Sequence, residues 1–198
     1  MPTMLVLVIG LAVLLGVHLT GVLAPGWRER VVARIGLGPW KLAYSAASIV
    51  GLLLVIRGYG LARADPTVLW APPAWGPHAT TLLAVIAFVL IVAAYVPGTH
   101  FKSALGHPMT LGVALWALGH LLANGTLRAL ILFGAFLAWS IVTYAVRRGR
   151  DRAAGVTYPA GTVARDAVVL VVGVVAALAF AFWLHGPLLG VRPFSSAV

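Results

Sequence analysis

The sequence predicts an all-α protein: a polytopic transmembrane helical bundle of about six spans, forming one domain over residues 1–198. Three observations predict it. The chain is 62% hydrophobic and 9% charged, with a mean hydropathy of +1.03, far outside the soluble globular range. Its apolar runs reach the 17–25 residues that cross a bilayer as a helix. The runs end at proline, glycine or basic residues, and the four acidic side chains lie near or outside their ends. A soluble core of this size could not hide so much apolar surface.

The first span is predicted over Met4–Ala24 and is stopped by Pro25-Gly26. It has no basic segment before it and is long enough to cross, so it reads as a retained helix and not a cleaved signal. Trp27–Ile35 (WRERVVARI) reads as a short amphipathic segment on the membrane surface. The second span runs from about Pro39 to Gly60. Pro72-Pro73 and Gly76-Pro77 make Asp65–His78 a structured loop, with Trp70 and Trp75 as interface anchors. The third span is Thr80–Val96, stopped by Pro97-Gly98. The fourth is Pro108–Asn124, its proline suited to a first helical turn. Asn124-Gly125 predicts a tight turn into the fifth span, Thr126–Val146. The sixth runs from Val163 to about His185, before Gly186-Pro187.

Orientation follows from the lysines and arginines. Arg28, Arg30, Arg34, Lys41, Lys102, Arg147, Arg148, Arg150, Arg152 and Arg165 fall on one side, and Arg57, Arg63, Arg128 and Arg192 on the other. The richer side is expected in the cytoplasm of a bacterial inner membrane, with both termini periplasmic. The same asymmetry explains the net charge of +10 through anionic lipid headgroups. No aromatic-interleaved basic stretch argues for nucleic acid. Cysteine is absent, which excludes disulfide and thiolate chemistry.

Chemistry is expected at histidines. His18 and His120 lie inside spans, where a polar ring needs a partner. His78, His100, His107 and His185 lie near span ends. His107 and His120 bound HPMTLGVALWALGH. They stand roughly 140° apart around a helix and roughly 20 Å apart along it, so they cannot share a metal ion. A second ligand must come from another helix, and His18 is the best placed. Two in-span imidazoles on different helices suit haem b and its iron. Gly16, Gly21, Ala117, Gly119 and Ala123 leave room for a flat macrocycle, or simply for close helix packing. Arg28, Arg34 and Lys41 could hold propionates, although topology alone also explains them.

Other chemistries fit less well. The acids are Glu29, Asp65, Asp151 and Asp166, all near or outside the interfaces. There is no HExxH zinc motif and no carboxylate to act as base. The motifs of serine hydrolases and dinucleotide binding are also missing. A proton-coupled transporter would show an intramembrane acid or lysine. Arg57, the one strong charge inside a span, can snorkel.

WKLAYSAAS (Trp40–Ser48), GLLLVIRGYGLAR (Gly51–Arg63), LWAPPAW (Leu69–Trp75) and HPMTLGVALWALGHLLANG occur in this order. With the first-helix histidine ahead of Pro25 and Arg28, they resemble the NnrU family over roughly residues 5–145. The last span is not distinctive. Bacterial members of that family are named for an association with nitrite and nitric oxide metabolism in denitrifiers. A plant relative, zeta-carotene isomerase, is a haem b enzyme that converts a cis double bond of a polyene to trans. Two histidines hold its haem. The resemblance implies His18 and His120 as axial ligands, with His107 in reserve. A depth difference of roughly 15 Å separates His18 from His120 in these spans. A short re-entrant fourth span, a tilted first span, or His107 in place of His120 would each reduce it.

Three readings follow. The first is a haem b membrane protein acting as a redox-gated isomerase of a long isoprenoid or polyene, served by an electron donor. The second is a non-catalytic haem, redox or nitric oxide accessory protein of denitrification. The third is a structural or transport bundle whose histidines only form hydrogen bonds.

Overall fold

A computed structural model describes residues 2–64 and 67–193; Asp65 and Val198 lie outside the described residues. The described residues form nine α-helices: α1 (Pro2–Leu23), α2 (Pro25–Ile35), α3 (Leu37–Leu61), α4 (Gly76–Tyr95), α5 (His100–Leu105), α6 (Pro108–Ala123), α7 (Leu127–Ala153), α8 (Val163–Ala179) and α9 (His185–Leu189). A 3-10 turn, Ala62–Ala64, ends α3, and a π-helical segment, Phe180–Leu184, joins α8 to α9. Among the described residues the extended structure is one isolated bridge, Val68 to Thr126.

Among the described residues five helical stretches are long and apolar enough to cross a membrane, the last, Val163–Leu189, running through α8, the π-helical segment and α9. The sixth, α6, has 16 residues, about 24 Å of rise, somewhat less than a hydrocarbon core of about 30 Å. It lies antiparallel to α7, its start bonded to the α7 end through His107 and Asp151. The protein is a multi-pass membrane protein.

Glycine sets the closest helix contact. A Cβ on Gly10 would lie 2.6 Å from Val55 N, and one on Gly51 would lie 2.7 Å from Leu14 N. α1 and α3 therefore pack antiparallel, backbone against backbone. In lipid, where apolar burial between helices gains little, such close approach supplies the dispersion energy. Leu7, Leu11, Leu14 and Leu15 of α1 then meet Val55, Ala117, Ala129, Leu132 and Phe133 in the main core. α7 packs on both α1 and α6. α4 packs against α6, with Gly112 over the Ala87 carbonyl, and α8 packs on α4 through Gly173 and Val89. The outward faces remain apolar and bare, Leu42 at 73% exposure being typical.

Two starts differ from the sequence reading. α4 begins at Gly76, not Thr80, because Pro77 fits its first turn. The stretch after Pro97-Gly98 contains α5, whose N-terminus Thr99 caps by accepting from Lys102 N at 3.0 Å.

The helix directions put all ten cations of the richer set at one end. Arg150 ties this end together, donating to the carbonyls of Gly21 at 3.1 Å and Val22 at 2.5 Å. At the opposite end, Leu69 N and Leu127 N donate to Gly125 O at 2.7 Å and Thr67 O at 3.0 Å, so residues 67–70 strap the α6–α7 turn. Arg63 reaches the Leu189 carbonyl, which brings the end of the sixth span beside the end of the second.

Candidate functional site

His18 sits one turn before the end of α1, at the cation-rich end. Its Nδ1 lies 2.7 Å from the Leu14 carbonyl. A carbonyl oxygen only accepts, so Nδ1 carries the proton and Nε2 keeps its lone pair. No described residue donates to that Nε2. The ring is walled by Tyr44 at 5.3 Å and Trp139 at 6.1 Å between centroids.

Trp40, Lys41, Tyr44 and Ser45 come from one face of α3, at the spacing of neighbouring turns. Trp40 anchors α2 by meeting Trp27 at 5.8 Å and lying under Arg28 at 6.0 Å. Together these elements enclose a half-open cavity of about 300 Å³. His18, Arg28, Lys41 and Arg147 line it, with Tyr44, Ser45, Thr20 and Gly21, and no acid is among the lining residues. Of the expected propionate contacts, Arg28 and Lys41 are therefore beside His18. Arg34 is elsewhere, in a shallow groove with Trp27, Arg30 and Val31. Arg147 replaces it in the cavity.

His120 is held in the same way. Its Nδ1 donates to the Trp116 carbonyl at 2.8 Å, leaving Nε2 unprotonated. Its ring stacks on Phe133 at 4.6 Å and 28°, with Trp116 at 5.1 Å. Asn124 Nδ2 donates to the His120 carbonyl at 2.8 Å, which secures the end of α6.

The structure does not bring the two in-span histidines into ring contact among the described residues. α7 stands between them. His18 meets Trp139 and His120 meets Phe133, partners six residues apart and hence separated by about 9 Å and about 120° on α7. His107, the reserve ligand, has Nε2 at 2.7 Å from Asp151 Oδ2. Its Nε2 must carry the proton, so that nitrogen has no lone pair to give. Tyr158 OH donates to the same Asp151 oxygen at 2.5 Å. Burial and that hydrogen bond raise the Tyr158 pKa above the usual 10.0. His100 pairs with Asp166 at 2.5 Å. His185 turns Nδ1 to the Val191 carbonyl at 2.6 Å and is half-buried at the far end. His78 is exposed.

A family model described as NnrU protein matches residues 6–193. The chain belongs to the NnrU family. The match extends past residue 145 and takes in the last span. No curated protein and no solved structure matches the chain. In this NnrU-family protein the runs WKLAYSAAS and HPMTLGVALWALGHLLANG thus form, respectively, the aromatic and cationic wall beside His18 and the helix that carries His120.

Taken singly, each in-span histidine has the donor arrangement of an iron ligand, although α7 stands between the two. Each in-span imidazole presents Nε2 with its tautomer fixed by a backbone acceptor, the arrangement that orients a histidine toward a metal. Three cations flank His18 at headgroup level, suited to carboxylates. Two buried polar atoms beside this region, Trp139 Nε1 and Thr143 Oγ1, have no hydrogen-bond partner. No cluster of three or more metal-ligating side chains occurs among the described residues.

Proposed function

We propose that this protein holds haem b in a bacterial inner membrane, with both termini periplasmic. The observation that carries the reading is the matched state of His18 and His120: Nδ1 committed to the carbonyl four residues back, Nε2 free. His18 is the ligand beside the cavity, where Arg28, Lys41 and Arg147 would hold the propionates. His120 is the second imidazole. For both to reach one iron, the Trp139 and Phe133 side chains that part them must move.

Haem would supply a one-electron centre whose state depends on its axial ligands. The chain's residues would fix the imidazole orientation, neutralise the propionates and surround the ring with aromatic side chains. Among activities, the cavity favours the accessory role in haem carriage or redox sensing linked to denitrification. At about 300 Å³ it is at the small end of ligand sites. Isomerisation of an isoprenoid, driven by an electron donor, rests on family resemblance and would place the polyene on the lipid-facing surface.

The visible spectrum of the purified protein, expressed with ample haem, tests this. A Soret band with sharp α and β bands on reduction is expected for two imidazoles. His18→Ala should lose the haem, and His120→Ala should retain it in a high-spin form. A protein without Soret absorbance would leave both histidines as interhelical hydrogen-bonding groups. Turnover of a cis-polyene by haem-loaded protein would replace the accessory role with the isomerase.

A further inference from the structure

Trp139, Thr143 and Arg147 are spaced four apart on α7, so they share one side of that helix. Their surroundings change along this stripe. Arg147 lines the cavity with His18. Thr143 is fully buried one turn deeper, and Trp139 meets the His18 ring a turn beyond that. Both deeper residues have an orphaned polar atom, Thr143 Oγ1 and Trp139 Nε1.

The threonine is the exception among its kind. Thr20, Ser48, Thr80, Thr110 and Ser140 all give their hydroxyl proton to a carbonyl three or four residues back. That bond is the ordinary way for a helix in lipid to hide a hydroxyl. Thr143 does not make it. Buried donors without a protein partner are commonly satisfied by water, provided two or more polar groups are within reach. Here the two orphans are one turn apart, behind a polar mouth.

We propose that this side of α7 is the wall of a hydrated inlet, through which water and protons pass from the cation-rich cavity to the Trp139–His18 contact. The ligand is water, held by Thr143 Oγ1 and Trp139 Nε1. The inlet starts at Arg147 and ends at the aromatic pair, beyond which Phe136 and Phe133 make the interior apolar. It does not depend on haem.

The cysteine-free chain allows a direct test. Single variants Arg147→Cys, Thr143→Cys and Trp139→Cys are treated with 2-sulfonatoethyl methanethiosulfonate, in sealed everted vesicles and in spheroplasts. Only a thiolate reacts. It attacks the reagent sulfur, forming a mixed disulfide and releasing methanesulfinate, so the rate reports hydration. Ala117→Cys is the dry buried control and Ile141→Cys the lipid-facing control. Thr143→Cys should react at least about tenfold faster than either control, as expected where water allows the thiol to ionise. It should react from the same side as Arg147→Cys, with Trp139→Cys slower but above the controls. If Arg147→Cys is labelled while both deeper variants match the controls, the inlet is dry and the proposal is wrong. Reaction from the opposite side would overturn it equally. Should Thr143→Cys fail to give monodisperse protein, Trp139→Cys decides by the same comparison.

Discussion

His107 Nε2 lies 2.7 Å from Asp151 Oδ2, a hydrogen bond that joins the start of α6 to the end of α7. It gives His107 a carboxylate partner and ties the two helices together. His107→Ala should therefore lower the thermal midpoint while leaving any haem spectrum unchanged. If His107→Ala removes the Soret band from otherwise folded protein, His107 is an iron ligand after all.

Tyr158 extends this contact and gives it an alkaline limit. Its pKa is raised, first by burial and then by its hydrogen bond to the Asp151 carboxylate. The unfolded chain loses this proton near 10.0, before the folded one does. The contribution to stability is thus complete below that pH and is lost as pH rises toward the folded value. Thermal midpoints measured from neutral to strongly alkaline pH should fall more steeply in the parent than in Tyr158→Phe.

Gly51 permits one of the close approaches of α1 to α3. A methyl there would sit 2.7 Å from Leu14 N, and backbone cannot move aside as a side chain can. Gly51→Ala should destabilise the bundle by about 1–3 kcal/mol, the range for overpacking. Gly149→Ala, where nothing lies within 4 Å, is the matched control. Thermal unfolding in detergent compares the two.

The four arginines after Val146 are expected from sequence to act alike, setting topology. The structure divides them. Arg147 faces the His18 cavity and Arg150 binds the end of α1. A hydrogen bond to a charged group is worth about 1.5–3 kcal/mol, less when solvent screens it. Arg147→Ala should accordingly speed haem loss to apomyoglobin by about threefold to tenfold, and Arg152→Ala should not. Equal rates would return Arg147 to a purely topological role.

Reporter fusions check orientation. Alkaline phosphatase after Val198 should be active in the periplasm, and a fluorescent protein inserted at Gly155 should mature in the cytoplasm. The reverse pattern would invert the proposed sidedness and move the His18 cavity to the outer face.

The spans were legible because apolar length is a strong, local signal. Proline and glycine marked most ends within a few residues. α5 was hidden because six residues between breakers carry no periodicity, and Thr99 shows its cap only in three dimensions. The cavity was half legible. Arg28 and Lys41 lie near His18 through short connections, but Arg147 comes from a helix more than a hundred residues away, where positive-inside bias already accounted for it. The Trp40, Lys41, Tyr44, Ser45 spacing contained the missing signal, a polar and aromatic face on an otherwise apolar helix. Neither the tautomers of His18 and His120 nor the pairing of His107 with Asp151 could be read in advance. Each depends on which acceptor the fold presents, and the chain order does not state it.

α8 packs on α4 and, at its start, on α5, and neither the cavity nor the in-span histidines draw on it. This has a bearing on biogenesis. Every residue of the candidate site lies before Ala154, so the helices that carry it are synthesised ahead of α8. α8 then docks on α4 beside a group of site-bearing helices that precede it in the order of synthesis.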